Sequence, residues 1–159
     1  MKRIAVYLFL IFFSFQNFLL AYSSDPKNFV KELVDEAISK LSDTNFTKNE
    51  KSKFIEKIAL ENVDINALGL YTLGELRKSS NELAISKYQQ AFEKYFLKSL
   101  TSRLTDYSSN QFEVLNVDKK SSNYTIVSSK VTSVNGGPEI KIDWRIYTKN
   151  PDKPLIRDL

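Results

Sequence analysis

Residues 80–107 read SNELAISKYQQAFEKYFLKSLTSRLTDY. Their apolar and aromatic members are Ala84, Tyr88, Ala91, Phe92, Tyr95, Phe96, Leu100, Leu104 and Tyr107. These follow one another at steps of one, three or four residues, which places them on one face of a helix. Lys87, Gln90, Glu93, Lys94, Lys98, Ser102 and Asp106 fall on the other face. Ser79, with Glu82 three residues on, predicts a capping box at the start. No Gly or Pro interrupts the run, and at 1.5 Å per residue the helix would be roughly 40 Å long. A stripe this long and this aromatic has to be covered, and the rest of the chain reads as the cover.

Upstream the period stays helical. Asp25-Pro26 predicts a helix start, followed by Val30, Leu33, Val34, Ala37, Ile38 and Leu41. Thr47 and Glu50 predict a second capping box ahead of Phe54, Ile55, Ile58 and Ala59. A third helix is expected after Asp64, through Ile65, Leu68 and Tyr71 to Leu76, with close packing or a bend at Gly69 and Gly74. Downstream the period becomes two. Strands are expected over residues 111–117, although Val114-Leu115 blurs the inner face, and over 124–132. In the next strand Ile140, Ile142, Trp144 and Ile146 alternate with Lys141, Asp143, Arg145 and Tyr147. Turns are expected at 135–138 and 150–154, and a last strand begins at Leu155. Helices first and a meander second define an α+β domain. Its N-terminal helices, including one long amphipathic helix, pack on a curved antiparallel sheet of about four strands.

Composition narrows the chemistry. The chain has 159 residues, 42% of them hydrophobic, enough for one domain with a real core. It has no Cys and no His. Disulfides, thiolate metal sites and the commonest general base are therefore absent. The acids are scattered over helix faces and turns, so no metal site or cofactor is expected. No P-loop, dinucleotide fingerprint or nucleophile elbow occurs. The net charge of +4 falls to +2 without Lys2 and Arg3, too little to suggest nucleic acid. Those two residues open a leader. Ile4 to Phe15 is an apolar run, and Ala21-Tyr22-Ser23 offers small residues for cleavage. Residues 1–23 are expected to be a cleaved signal peptide, and 24–159 one exported domain. Tyr71, Tyr88, Phe92, Tyr95, Phe96, Tyr107, Phe112, Tyr124 and Trp144 either form its core or line a cavity that helix and sheet leave open.

The ordered set Val63-Asp64-Ile65, Leu73-Gly74, Arg77-Lys78, Tyr88, Phe92, Tyr95, Arg103-Leu104 and Tyr107 resembles the MlaC family, also called the toluene-tolerance family. So do Ile142-Asp143-Trp144-Arg145-Ile146 and the closing Ile156-Arg157-Asp158-Leu159. The resemblance runs from Asp25 to the end. It implies a periplasmic phospholipid-binding shuttle that maintains outer-membrane lipid asymmetry. The implied partners are phospholipid, an inner-membrane ABC transporter complex with its substrate-binding subunit, and an outer-membrane lipoprotein complex. Under that reading the acyl chains lie on Tyr88, Phe92, Phe96, Leu100 and Leu104 and on the face of Ile140, Ile142, Trp144 and Ile146. Leu68, Tyr71 and Leu73 form the rim. Two departures are visible: Leu100 stands where the family usually has an aromatic, and the family's sheet continues past Asp158-Leu159, so the C-terminal end is expected to be missing. Two other readings compete: a small cone-shaped α+β enzyme using Asp143 or a Tyr as acid or base on a hydrophobic substrate, and a periplasmic adaptor.

Overall fold

A computed structural model describes residues 22–105, 110–133 and 138–159. Residues 1–21, where the leader is expected, Tyr107 and residues 135–137 of the expected turn lie outside them. Helix α1, Pro26–Ser42, starts as its sequence predicts: the Asn28 N–H donates to the Asp25 carboxylate at 2.9 Å, and Pro26 occupies the first turn. Helix α2, Lys48–Asn62, carries the expected capping box between Thr47 and Glu50. Helix α3, Ile65–Thr72, is capped by Asp64. The single third helix foreseen in the sequence is in fact two. Gly74, at φ +54°, ends α3 in the left-handed region, and a short α4 follows at Leu76–Ser79.

The long helix, α5, runs Glu82–Leu104. Its start corrects the Ser79–Glu82 capping box. Ser79 belongs to α4 and donates to the Leu76 carbonyl, while Asn81 caps α5 by accepting the Ala84 N–H at 2.8 Å. The polar-break chemistry is the same, displaced by two residues. Its face is also rotated slightly from the predicted stripe. Tyr88, Phe92, Phe96, Leu100 and Leu104 turn inward with Ile85, Leu97 and Thr101, while Ala84, Ala91 and Tyr95 are exposed.

Four antiparallel strands follow in the order β1-β2-β3-β4: Asn110–Lys119, Tyr124–Ser133, Ile140–Tyr147 and Leu155–Asp158. The blurred pattern at Val114-Leu115 has a structural cause. Val114 pairs with Ser129 and Asn116 with Ser128, so Leu115 is an unpaired bulge. The bulge resets the alternation and bends β1. Helix α1 lies on β1 and β2, where Phe29, Val30 and Leu33 meet Val127, Ile146 and Ile156 as the main core. Tyr22 packs edge-on against Phe29 at 6.1 Å, and its hydroxyl donates to Glu36. Burial, and then that acidic partner, push the phenol well above its usual range. Helix α5 lies across α2 and α3 instead, which holds it off the sheet.

Candidate functional site: an apolar cavity under the long helix

The offset of α5 leaves a space between helix and sheet. It is a cavity of about 430 Å³, within the usual span of roughly 300–1,000 Å³ for ligand pockets. Phe96, Leu100 and Leu104 of α5 form one wall, and Ile142 and Trp144 of β3 form the wall opposite. Leu33, Val34 and Ala37 of α1, Ile55, Ile58 and Ala59 of α2, and Val63, Leu68 and Ile156 complete the apolar lining. Leu159 and Asp158 sit at one end, and Asp158 carries the only charge in the lining among the described residues. No residue of α5 except Thr101 is fully buried. Phe96, Leu100 and Leu104 face the cavity rather than a close-packed partner.

Two polar arrangements hold the walls. Trp144 Nε1 donates to Ser129 Oγ at 2.7 Å, and Ser129 Oγ donates to the Ile142 carbonyl at 3.2 Å. Ser129 is buried with both bonds made, so the indole plane is fixed on the cavity floor. Phe112 meets the same ring edge-on at 6.4 Å. At the side wall, Arg157 donates to Asp64 and to the Tyr124 hydroxyl, each at 2.8 Å. Its guanidinium lies 3.4 Å from the Tyr147 ring centroid. The Asp64 N–H also donates to the Ile156 carbonyl at 2.9 Å. The junction of α2 and α3 is thus tied to β4.

Of the residues assigned from sequence, the cavity brings together Leu68, Phe96, Leu100, Leu104, Ile142 and Trp144. The others lie elsewhere. Phe92 packs on α3, where a Cβ added to Gly69 would come within 3.1 Å of its ring. Tyr88 continues the same ladder: its ring stacks on Phe92 at 6.0 Å and its hydroxyl meets Thr72 Oγ1 at 2.9 Å. Ile146 is buried under α1 in the main core. Ile140 is exposed at the start of β3, Tyr71 is exposed, and Leu73 is half-buried outside the lining. The contributions of α1 and α2 went unassigned because their helical spacing reads equally well as core. Ser129 and Arg157 left no periodic signal at all. Asp143 is exposed on the outer sheet face, as its alternation with Trp144 predicts. A depression of similar volume on that face is lined by only five residues, two of them cations.

Helices on one face of a meander, with an apolar chamber between, make an α+β domain with room for a hydrophobic ligand. The chain belongs to the family described as MlaC protein, which it matches over residues 31–159. A solved structure with the same fold is a phospholipid-binding protein from Ralstonia solanacearum in complex with a phospholipid. It matches with a TM-score of 0.68 and 14% identity, over 84% of this chain and 76% of that one. The curated proteins contain no match.

Proposed function

We propose that the protein is a phospholipid carrier rather than an enzyme, acting in the periplasm after export by its leader. In this role it passes lipid between an outer-membrane lipoprotein complex and an inner-membrane ABC transporter with its substrate-binding subunit, and so maintains outer-membrane lipid asymmetry. One observation carries the reading: Phe96, Leu100 and Leu104 of α5 line an apolar cavity instead of packing on the sheet. Membership of the MlaC family and the phospholipid in the Ralstonia structure support the same ligand class. The physics requires such a chamber. Each methylene left in water costs about 0.8 kcal/mol, so an acyl chain cannot cross an aqueous gap bare. A carrier needs apolar enclosure and a wet exit for the headgroup, with no nucleophile or metal. Acyl chains would lie against Phe96, Leu100, Leu104, Ile142 and Trp144, with Asp158 at the polar end.

Native mass spectrometry of the purified protein, followed by lipid extraction, tests this. A phospholipid bound at close to one per chain is the expected result. Phe96→Asp or Leu100→Asp puts a charge in the wall and should abolish loading while helicity persists, because both sites are only half-buried. A lipid-free wild-type protein, or undiminished loading in both variants, would sink the assignment.

A further inference from the structure

We infer that the tip formed by the end of α3, by α4 and by the start of α5 is a docking surface for an anionic lipid bilayer. Helices α3 and α5 are antiparallel neighbours there: Gly69 meets Phe92, and Thr72 meets Tyr88. The end of α3 and the first turns of α5 therefore lie side by side, with α4 as the elbow. Gly74, in its left-handed conformation, separates α3 from α4. Three large apolar side chains at this tip stand in solvent: Tyr71 is 68% exposed, Leu76 63% and Leu83 66%. Isolated exposed apolar residues are ordinary, but these three fall on the three adjoining element ends that make one elbow.

The three helices that build the tip are also the basic part of the domain, although the tip itself, residues 71–87, holds Arg77, Lys78 and Lys87 against Glu75 and Glu82. Residues 65–104 hold six Lys and Arg against three Asp and Glu, while the remainder of residues 22–159 holds fifteen against sixteen. The positive excess of the domain thus resides on these three helices. Arg77, Lys87, Lys94 and Lys98 form no ion pair among the described residues. Lys87 lies one turn from Leu83 on the same face. Glu75 is taken up by Lys78, which leaves Arg77 beside Leu76 and Lys87 near Leu83 against Glu82 alone. Leucines beside unneutralised cations fit a bilayer interface, where acyl chains accept the apolar groups and lipid phosphates accept the cations. The tip also leads to the cavity. From Leu83 to Phe96 is about 20 Å along α5, and Tyr88, Phe92 and Phe96 stack in series over that path, at 6.0 and 6.1 Å. The docking surface rests on the carrier reading for its use, but its test does not.

Every fully buried hydrophobic residue described lies between Phe29 and Ile156, so the chain from Ser24 keeps all of them and gives up only the Tyr22 contact with Phe29. That chain is co-sedimented with vesicles of phosphatidylcholine alone and of phosphatidylcholine mixed with phosphatidylglycerol. The anionic vesicles should bind it about tenfold more tightly, given about 1 kcal/mol for each cation at the surface, and rising salt should remove the difference. Leu76→Asp with Leu83→Asp should abolish binding. Arg77→Glu with Lys87→Glu should abolish the anionic preference, and all four sites are exposed enough to leave the fold intact. Three results would overturn the inference: no vesicle binding by the wild type, undiminished binding by both double variants, or a dimer that the leucine variant disperses. Lipid loading is read separately by native mass spectrometry. Loss of vesicle binding with loading retained supports the surface, and a lipid-free wild type counts against the carrier reading alone.

Discussion

Ser129 shows how one buried hydroxyl shapes the cavity. It accepts from the Trp144 indole and donates to the Ile142 carbonyl, so both residues of the β3 wall depend on it. Without it the indole N–H has no partner in a half-buried position, at a cost of about 1–3 kcal/mol. Trp144 is the sole tryptophan of the chain, so its emission reports this wall directly. Adding phospholipid to delipidated protein should shift that emission to shorter wavelength, as acyl chain replaces water over the ring. Ser129→Ala should lower stability by that amount and weaken the lipid-induced shift, because the ring is no longer held flat. An emission spectrum indifferent to lipid would mean that Trp144 does not face the bound chain.

At the scale of elements, two glycines do different work in the α3–α5 unit. Gly69 permits contact: an added Cβ would press on the Phe92 ring at 3.1 Å. Gly74 permits conformation: it sits at φ +54° with nothing within 4 Å of the position its Cβ would take. Gly74→Ala therefore costs only the left-handed penalty, about 1 kcal/mol, while Gly74→Asn costs less because Asn tolerates that region. Urea unfolding with an unchanged slope would measure both. An Ala variant as stable as the wild type would show that positive φ is not what stops α3. The order of elements was legible from periodicity, caps and turns, since Pro26, Thr47, Glu50 and the Ile140–Ile146 alternation each act locally. The split at Gly74 was not, because a glycine in a helical pattern is equally consistent with packing and with breakage. The bulge at Leu115 appeared only as a blurred pattern, since the partner strand decides which residue is skipped. For the site, α5 and β3 residues were legible as apolar stripes. Whether a stripe meets protein or a void depends on which helices hold α5 away, and that is set by α2 and α3.

The whole molecule is built with its stabilising burial unevenly placed. Phe29, Val30, Leu33, Val127, Ile146 and Ile156 pack α1 tightly to the sheet. On the other side, α5 is held by α2 and α3, whose junction the Asp64–Arg157–Tyr124 tie fixes to the sheet, with the cavity beneath α5. Apolar side chains around an empty cavity lack the dispersion contacts that a filled one provides. An acyl chain in the chamber supplies them and becomes part of the core, so the carrier reading predicts that lipid stabilises the fold. Anything that binds only the folded state adds RT ln(1 + [L]/Kd), about 2.7 kcal/mol at a hundredfold excess over Kd. For a domain of this size that corresponds to roughly 5–10 °C in Tm. Thermal unfolding of lipid-loaded protein should therefore occur that much above the delipidated form, with Phe96→Asp unfolding at one temperature whether or not lipid is added. Equal melting of the loaded and stripped wild type would mean that bound lipid does not occupy the space under α5.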